Sequence, residues 1–272
     1  MKKKFGIIGN PIKHSLSPVL HNYWFEKYGI DADYSIIEAE DKDLKKIINQ
    51  IKNHKLDGIN VTLPFKQKII NQTDKIVNDA ELTGSVNTIL LENNKVIGEN
   101  TDVYGLQAGY LKEIENFAKK NILVIGAGGV SPSVVLSLQK SGAKKISITN
   151  RTSEKCIFLK KKFKYLNILP WQNLKHEIQN FDLIVNATSL GLKDGNDFDF
   201  SFSKTKEELI YIDTIYNPLE TKTYKFLKNE EKKVFNGLDM FMYQGQKSFY
   251  LWNKINPEID DKLIELLKSK LK

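Results

Sequence analysis

Apolar positions along the chain fall into short dense runs separated by longer stretches of mixed character. The runs are KFGIIG (4–9), DYSIIEA (33–39), DGINVTL (57–63), VNTILL (86–91), KVIGE (95–99), NILVIGA (121–127), KKISITN (144–150), FDLIVNA (181–187), LIYIDT (209–214) and KKVFN (232–236). Each is read as a strand. Helices are expected between them at 18–29, 41–53, 65–72, 103–118, 132–141, 153–163 and 219–229. Short strands alternating with helices predict an α/β fold with a mostly parallel sheet. ENNK (92–95) joins two strands as a hairpin turn, because Asn tolerates the backbone angles such a turn needs. The tail, from GLDMFMYQGQKSFYLW onward, carries no strand signal, and Ile259, Leu263, Leu266, Leu267 and Leu271 follow helical spacing.

Length and composition narrow the picture. At 272 residues the chain exceeds the usual single-domain size, so two domains are expected. With 41% hydrophobic and 27% charged residues it reads as globular and soluble. The net charge of +8 raises the question of nucleic acid, but the lysines are scattered, as in KKKFK and LKSKLK, without a basic-aromatic block. The charge is read as solvated surface, with no nucleic-acid partner. Cys156 is the lone cysteine, which excludes an intrachain disulfide and favours a reducing, cytoplasmic setting. No run approaches the ~20 apolar residues of a membrane helix. His14, His21, His54 and His176 show no ligand spacing, so no metal site is expected.

Chemistry enters at NILVIGAGGVSPSVVLSL (121–138), a strand, a glycine turn and a helix. Gly126 and Gly128 match the first two glycines of a dinucleotide fingerprint, and Ser131 stands at the third. Pro132 fits only a first helical turn, which puts the helix start near Gly129 with its N-terminus toward a phosphate. At the end of the next strand, where NAD-binding folds carry an acid for the ribose hydroxyl, this chain reads Asn150-Arg151-Thr152. Arg151 is the only arginine among 41 basic residues. A guanidinium grips phosphate oxygens with two parallel hydrogen bonds and stacks on adenine, which an ammonium does not do. The position therefore points to the 2′-phosphate of NADP, with Lys155 as a second cation.

In the amino-terminal half, DGINVTLPFKQKII sets Ile59, Val61 and Leu63 on one side of a strand and Asn60 and Thr62 on the other. Pro64 is expected to open a helix with Lys66 in its first turn, where the helix dipole disfavours a cation and suits a proton shuttle. The alternative is an ordinary surface lysine. Asp102, in GENTDVYG, is either the partner of Lys66 or a helix N-cap. Ser17, before Pro18, is either an N-cap or, with Ser15, a seat for a carboxylate at a helix start.

Nine segments in order, HSLSP, NVTLPFK, GSVNT, NTDVYG, GAGG, NRTSEK, NATSLG, DTIYNPLET and GLDMFMYQGQKSF, closely resemble the shikimate dehydrogenase family over nearly the whole chain. Two departures stand out: Ser131-Pro132 after the glycines, and Leu192 where methionine is usual. The resemblance implies a substrate domain of residues 1–102 plus 238–272, a Rossmann-type NADP domain of residues 103–237, and a cleft between them. It implies that Ser15 and Ser17 hold the substrate carboxylate, that Thr62, Asn87, Asp102 and Gln244 bind ring hydroxyls, and that Tyr216 closes the pocket. It places Gly126, Ala127, Gly128, Gly129, Val130, Asn150, Arg151, Thr152, Lys155, Thr188, Thr214 and Gly237 along NADP. The implied reaction is reversible reduction of 3-dehydroshikimate to shikimate by NADPH, with Lys66 and Asp102 catalytic, in a monomer or homodimer. The rivals are a quinate/shikimate dehydrogenase using NAD and a catalytically silent shikimate-binding domain.

Overall fold

The structure is a computed structural model and describes residues 2–192 and 196–271. Its strands are β1 (Lys3–Gly9), β2 (Ala32–Glu38), β3 (Gly58–Val61), β4 (Lys75–Ile76), β5 (Thr88–Glu92), β6 (Lys95–Glu99), β7 (Asn121–Ile125), β8 (Lys145–Thr149), β9 (Asn167–Ile168), β10 (Leu183–Asn186), β11 (Ile210–Asp213) and β12 (Lys233–Phe235). Its α-helices are α1 (Ser17–Lys27), α2 (Leu44–Lys52), α3 (Asp79–Thr83), α4 (Asp102–Gly109), α5 (Ser131–Lys140), α6 (Ser153–Lys162), α7 (Leu174–Glu177), α8 (Lys222–Asn229), α9 (Leu238–Asn253) and α10 (Asp261–Ser269). Two compact units result, Met1–Gly105 with Met242–Lys270, and Leu106–Phe241. The chain passes from one to the other inside α4 and again inside α9. Among the described residues no helix is long and apolar enough to cross a membrane.

The first unit is built on a sheet of order β2-β1-β3-β5-β6-β4. β1 runs parallel to β2 and β3, β4 runs parallel to β6, and β5 is antiparallel to both its neighbours. The β5–β6 turn has Asn93 at φ 51 and Asn94 at φ 61, as the ENNK signal requires. Ile8, Ile59, Ile89 and Val96 join Ile47, Ile48 and Ile51 of α2 in one buried cluster. β3 is buried along its whole length, Asn60 included, and it ends at Val61. Leu63 is therefore not part of the core face with Ile59 and Val61; it is 60% exposed.

The second unit is a parallel sheet of order β12-β11-β10-β7-β8-β9. The chain moves outward from β7 through β8 to β9, then returns to the other side of β7 and moves outward through β10, β11 and β12. Its direction reverses between β7 and β10, the point where parallel α/β sheets hold ligands. The register pairs Ile125 with Thr149, Ile125 with Asn186, and Asn186 with Asp213, so the four central strands end level. Their carboxyl-end loops therefore begin side by side.

Several helices differ from expectation. The stretch 65–72 is a turn followed by a 3-10 helix, Lys68–Gln72. The carbonyl of Lys66, which an α-helix would reserve for residue 70, accepts instead from the amide of Val86 at 2.8 Å. The stretch 103–118 is not one helix: α4 stops at Gly109, and 3-10 turns follow at Leu111–Glu113 and Phe117–Lys119. There Tyr110 is fully buried and its hydroxyl accepts from the Met240 amide at 3.0 Å, a long-range contact that periodicity cannot register.

Candidate active site

In the first unit the carboxyl ends of β1, β3 and β6 lie at the same sheet edge as the amino end of β5. Lys66 lies in the turn after β3, and Asp102 is the first residue of α4, after β6. Their side chains meet, with Lys66 Nζ donating to Asp102 Oδ2 at 2.6 Å, and the side chains are 12% and 5% exposed. Asp102 is not the cap of its helix. Asn100 Oδ1 accepts from the amides of Asp102 at 3.0 Å and Val103 at 3.4 Å, which leaves the Asp102 carboxylate for Lys66. The helix-dipole premise for Lys66 fails, because no α-helix begins there; its electrostatic neighbour is a carboxylate.

Asn87, buried just before β5, donates from Nδ2 to the second oxygen of Asp102 at 2.8 Å and toward Gln244 Oε1 at 3.4 Å. Lys66, Asp102, Asn87 and Gln244 thus form one cluster. Both oxygens of Asp102 accept hydrogen bonds, one from the Lys66 ammonium and one from the Asn87 amide.

Ser15 and Ser17 lie at the start of α1, after β1. Ser17 is not the N-cap: the helix begins at Ser17, Leu16 holds the cap position, and Ser15 Oγ accepts from the Ser17 amide at 3.2 Å. Thr62 follows β3, its amide bonded to Ile8 O at 2.9 Å, beside the end of β1. No hydrogen bond joins Ser15, Ser17 or Thr62 to the Lys66 cluster among the described residues; they share its sheet edge. Tyr216 belongs to the second unit, its ring stacked on Phe241 at 4.7 Å.

In the second unit the loop of Gly126, Ala127, Gly128, Gly129 and Val130 joins β7 to α5. Helix α5 begins at Ser131, two residues later than expected, with Val130 at the cap position and Pro132 in the first turn. Ser131, at the third-glycine position, is buried and its Oγ accepts from the Gly128 amide at 2.9 Å, so it braces the turn. Gly126 has φ +112, and a Cβ there would sit 2.7 Å from Ala187 O. Gly126→Ala is therefore expected to destabilise the protein by about 2 kcal/mol or more, read from urea unfolding midpoints. An unchanged midpoint would show that the loop tolerates another conformation.

Beyond Gly128 a Cβ would meet nothing within 4 Å, so that backbone faces open space. Asn150, ending β8, accepts from the Ala127 amide at 3.2 Å and donates to Thr152 O at 3.0 Å. Arg151, Thr152 and Lys155 are exposed, Lys155 in the first turn of α6. Among the described residues, neither cation pairs with an acid. Thr188 and Thr214 are tied to Asn186, Thr188 donating from its hydroxyl to Asn186 Oδ1 at 2.7 Å and Thr214 donating to Asn186 O at 2.9 Å. Gly237 presses on this place, for a Cβ there would collide with Thr214 O. An open glycine turn, the start of a ten-residue helix and two unpaired cations suit a phosphorylated dinucleotide.

Two family patterns match the chain: "Shikimate dehydrogenase substrate binding domain" over residues 7–89 and "Shikimate / quinate 5-dehydrogenase" over residues 110–217. The NADP(+) shikimate dehydrogenase of Pelagibacter ubique is 44% identical over 98% of this chain and 99% of its own. The chain belongs to the shikimate dehydrogenase family. The shikimate dehydrogenase crystal structure from Aquifex aeolicus matches with TM-score 0.90 and 37% identity, covering 98% of each chain. The Thermus thermophilus shikimate dehydrogenase, solved with NADP(H) and shikimate, matches with TM-score 0.88 and 29% identity over 99% of this chain and 100% of that one.

Relative to that shikimate dehydrogenase pattern, sequence reasoning missed the residues that hold the named ones. Asn100 caps α4, and Asn186 pins Thr188 and Thr214. Buried Asn60 donates to Thr88 Oγ1 at 3.1 Å and Ser248 Oγ at 3.0 Å and accepts from Tyr34 Oη at 2.7 Å. The available signal was a polar residue inside an apolar run, as in GINV and LIVN, which a buried strand keeps only where it is hydrogen-bonded.

Proposed function

We propose that this chain is an NADP-dependent shikimate dehydrogenase, reversibly reducing 3-dehydroshikimate to shikimate with NADPH in aromatic amino-acid biosynthesis. The observation that carries this reading is the buried 2.6 Å pair of Lys66 and Asp102 in a chain 44% identical, end to end, to an NADP(+) shikimate dehydrogenase. Bound NADPH supplies the hydride. The chain's part is to receive the negative charge that grows on the substrate's carbonyl oxygen. Lys66 stabilises that oxygen and gives it a proton, and Asp102 holds the ammonium in place. Asn87 and Gln244 present amides to the ring hydroxyls beside Asp102, with Thr62 on the same sheet edge. Ser15 and Ser17 bind the carboxylate at the start of α1, and Tyr216 covers the substrate. Gly126–Val130 cradle the pyrophosphate, Asn150 braces the loop, and Arg151, Thr152 and Lys155 take the 2′-phosphate, with Thr188, Thr214 and Gly237 along the rest of the cofactor. Residues 1–102 with 238–272 act as the substrate domain and 103–237 as the NADP domain, in a cytoplasmic monomer or homodimer.

Shikimate oxidation followed by absorbance with NADP and NAD side by side tests this reading. Turnover with NADP well above that with NAD is expected; protein that binds shikimate without oxidising it would overturn the enzymatic reading. In the same assay Arg151→Ala is expected to weaken use of NADP by about 10- to 100-fold, the worth of a charge-assisted pair of hydrogen bonds, and to leave NAD unaffected. An unchanged preference would remove Arg151 from phosphate recognition.

A further inference from the structure

Behind Asn87, three hydroxyls from three separate segments meet out of solvent. Thr88 Oγ1 and Ser248 Oγ are 2.8 Å apart, Thr101 Oγ1 and Ser248 Oγ 3.1 Å, and Thr88 Oγ1 and Thr101 Oγ1 3.3 Å. The residues are 0%, 1% and 0% exposed for Thr88, Thr101 and Ser248. β5 supplies the first, the β6–α4 junction the second and α9 the third. We propose that this hydroxyl triad is a positioning element that fixes the amide of Asn87, and through it the Asp102 carboxylate, for proton transfer. The inference rests on the reading of Lys66 and Asp102 as the reacting pair.

The hydrogen bonds decide the orientation. Asn87 Oδ1 accepts from the backbone amide of Thr101 at 2.8 Å, and a backbone N–H cannot serve as an acceptor. A flipped amide would set donor against donor, so Nδ2 must face Asp102 Oδ1. Nδ2 also donates to Thr101 Oγ1 at 3.0 Å, and Thr88 Oγ1 donates to Asn87 Oδ1 at 3.1 Å. Ser248 Oγ donates to Gln244 O at 3.0 Å. With that hydrogen committed, Ser248 is an acceptor toward Thr88 at 2.8 Å and Thr101 at 3.1 Å, and Thr101 Oγ1 also has Asn87 Oδ1 within donating distance at 3.2 Å. Asn60 completes the set by donating to Thr88 and Ser248. The network thus ties Asn87 to the α9 backbone at Gln244. In a buried network, removing one member leaves its partners unsatisfied, so the effect reaches beyond the deleted bond.

Thr101→Val keeps shape and the backbone amide but deletes the hydroxyl; Thr101→Ser keeps the hydroxyl. The valine variant is expected to lower kcat for shikimate about tenfold or more with KM for NADP unchanged, the serine variant to recover most of that loss, and Ser248→Ala to follow the valine variant more weakly. Once Asn87→Ala is present, adding Thr101→Val should bring little further loss, because the triad acts through Asn87. Wild-type turnover in the Thr101→Val protein, an equal rise in KM for NADP, or fully additive losses with Asn87→Ala would each overturn the proposal. A wild-type protein without NADP-dependent shikimate oxidation would instead overturn the functional reading itself.

Discussion

Lys66→Ala is expected to lower kcat for shikimate oxidation by about 10³-fold or more while shikimate affinity, measured by direct titration, changes by less than about tenfold. The asymmetry follows from where the charge appears. A neutral carbonyl or hydroxyl makes one ordinary hydrogen bond to the ammonium; an oxygen gaining negative charge makes a far stronger one, so the loss concentrates in the transition state. Burial sharpens the contrast, because the Lys66 and Asp102 side chains are only 12% and 5% exposed and water cannot replace the missing cation. Removing Lys66 also leaves Asp102 buried with one partner, Asn87, instead of two. Asp102→Ala should therefore be harmful in its own right, and the double variant should lose less than the two single losses summed, since one half of the pair has little to do without the other. Comparable losses in affinity and turnover would assign Lys66 to binding.

The parts of the fold legible in the sequence were those where local pattern and tertiary environment agree. The runs 121–127, 181–187 and 209–214 are buried strands of a parallel sheet, and such strands are apolar on both faces. The two-residue strands β4 and β9 and the five-residue helix α3 are too short to carry a period and went unread. The segment around Lys66 was misjudged for a different reason. Its sequence is compatible with a helix, yet Val86 claims the Lys66 carbonyl across a sequence separation that no local window spans. Lys66 and Asp102 meet as a direct ion pair, and the helix terminus expected at Lys66 is absent. Arg151 stands out in the sequence as a lone arginine after a strand, and it is exposed just beyond β8; the triad behind Asn87 does not stand out, because serine and threonine beside strands have many roles.

His21→Phe is expected to flatten the acid side of the stability curve. His21 is fully buried on α1, stacked on Tyr34 at 4.4 Å, with Trp24 at 5.7 Å and Trp252 at 5.3 Å. Among the described residues neither ring nitrogen has a hydrogen-bond partner; Asn60 is near enough to favour the charged form slightly but not in bonding geometry. Burial therefore dominates and pushes the imidazole down to about 3 from 6.5. Because the folded value is depressed, the unfolded chain takes up the proton first as pH falls. The stability that neutral His21 contributes is complete above about pH 6.5 and is lost progressively down to about pH 3, at up to about 1.4 kcal/mol per pH unit. Asp213 has the opposite sign: burial raises its carboxyl to about 6, so its contribution declines as pH rises from about 4 to 6. The wild-type curve alone mixes the two, whereas the difference between wild type and His21→Phe cancels Asp213. Followed by tryptophan fluorescence, which Trp24 and Trp252 make sensitive to this core, urea unfolding should show the variant gaining about 2 kcal/mol on wild type between pH 7.5 and pH 5. Phenylalanine keeps the ring stack, so a loss of packing would shift both pH values alike. Parallel curves for the two proteins would mean that His21 reaches a partner or solvent in the folded state, and the account of its burial would fail.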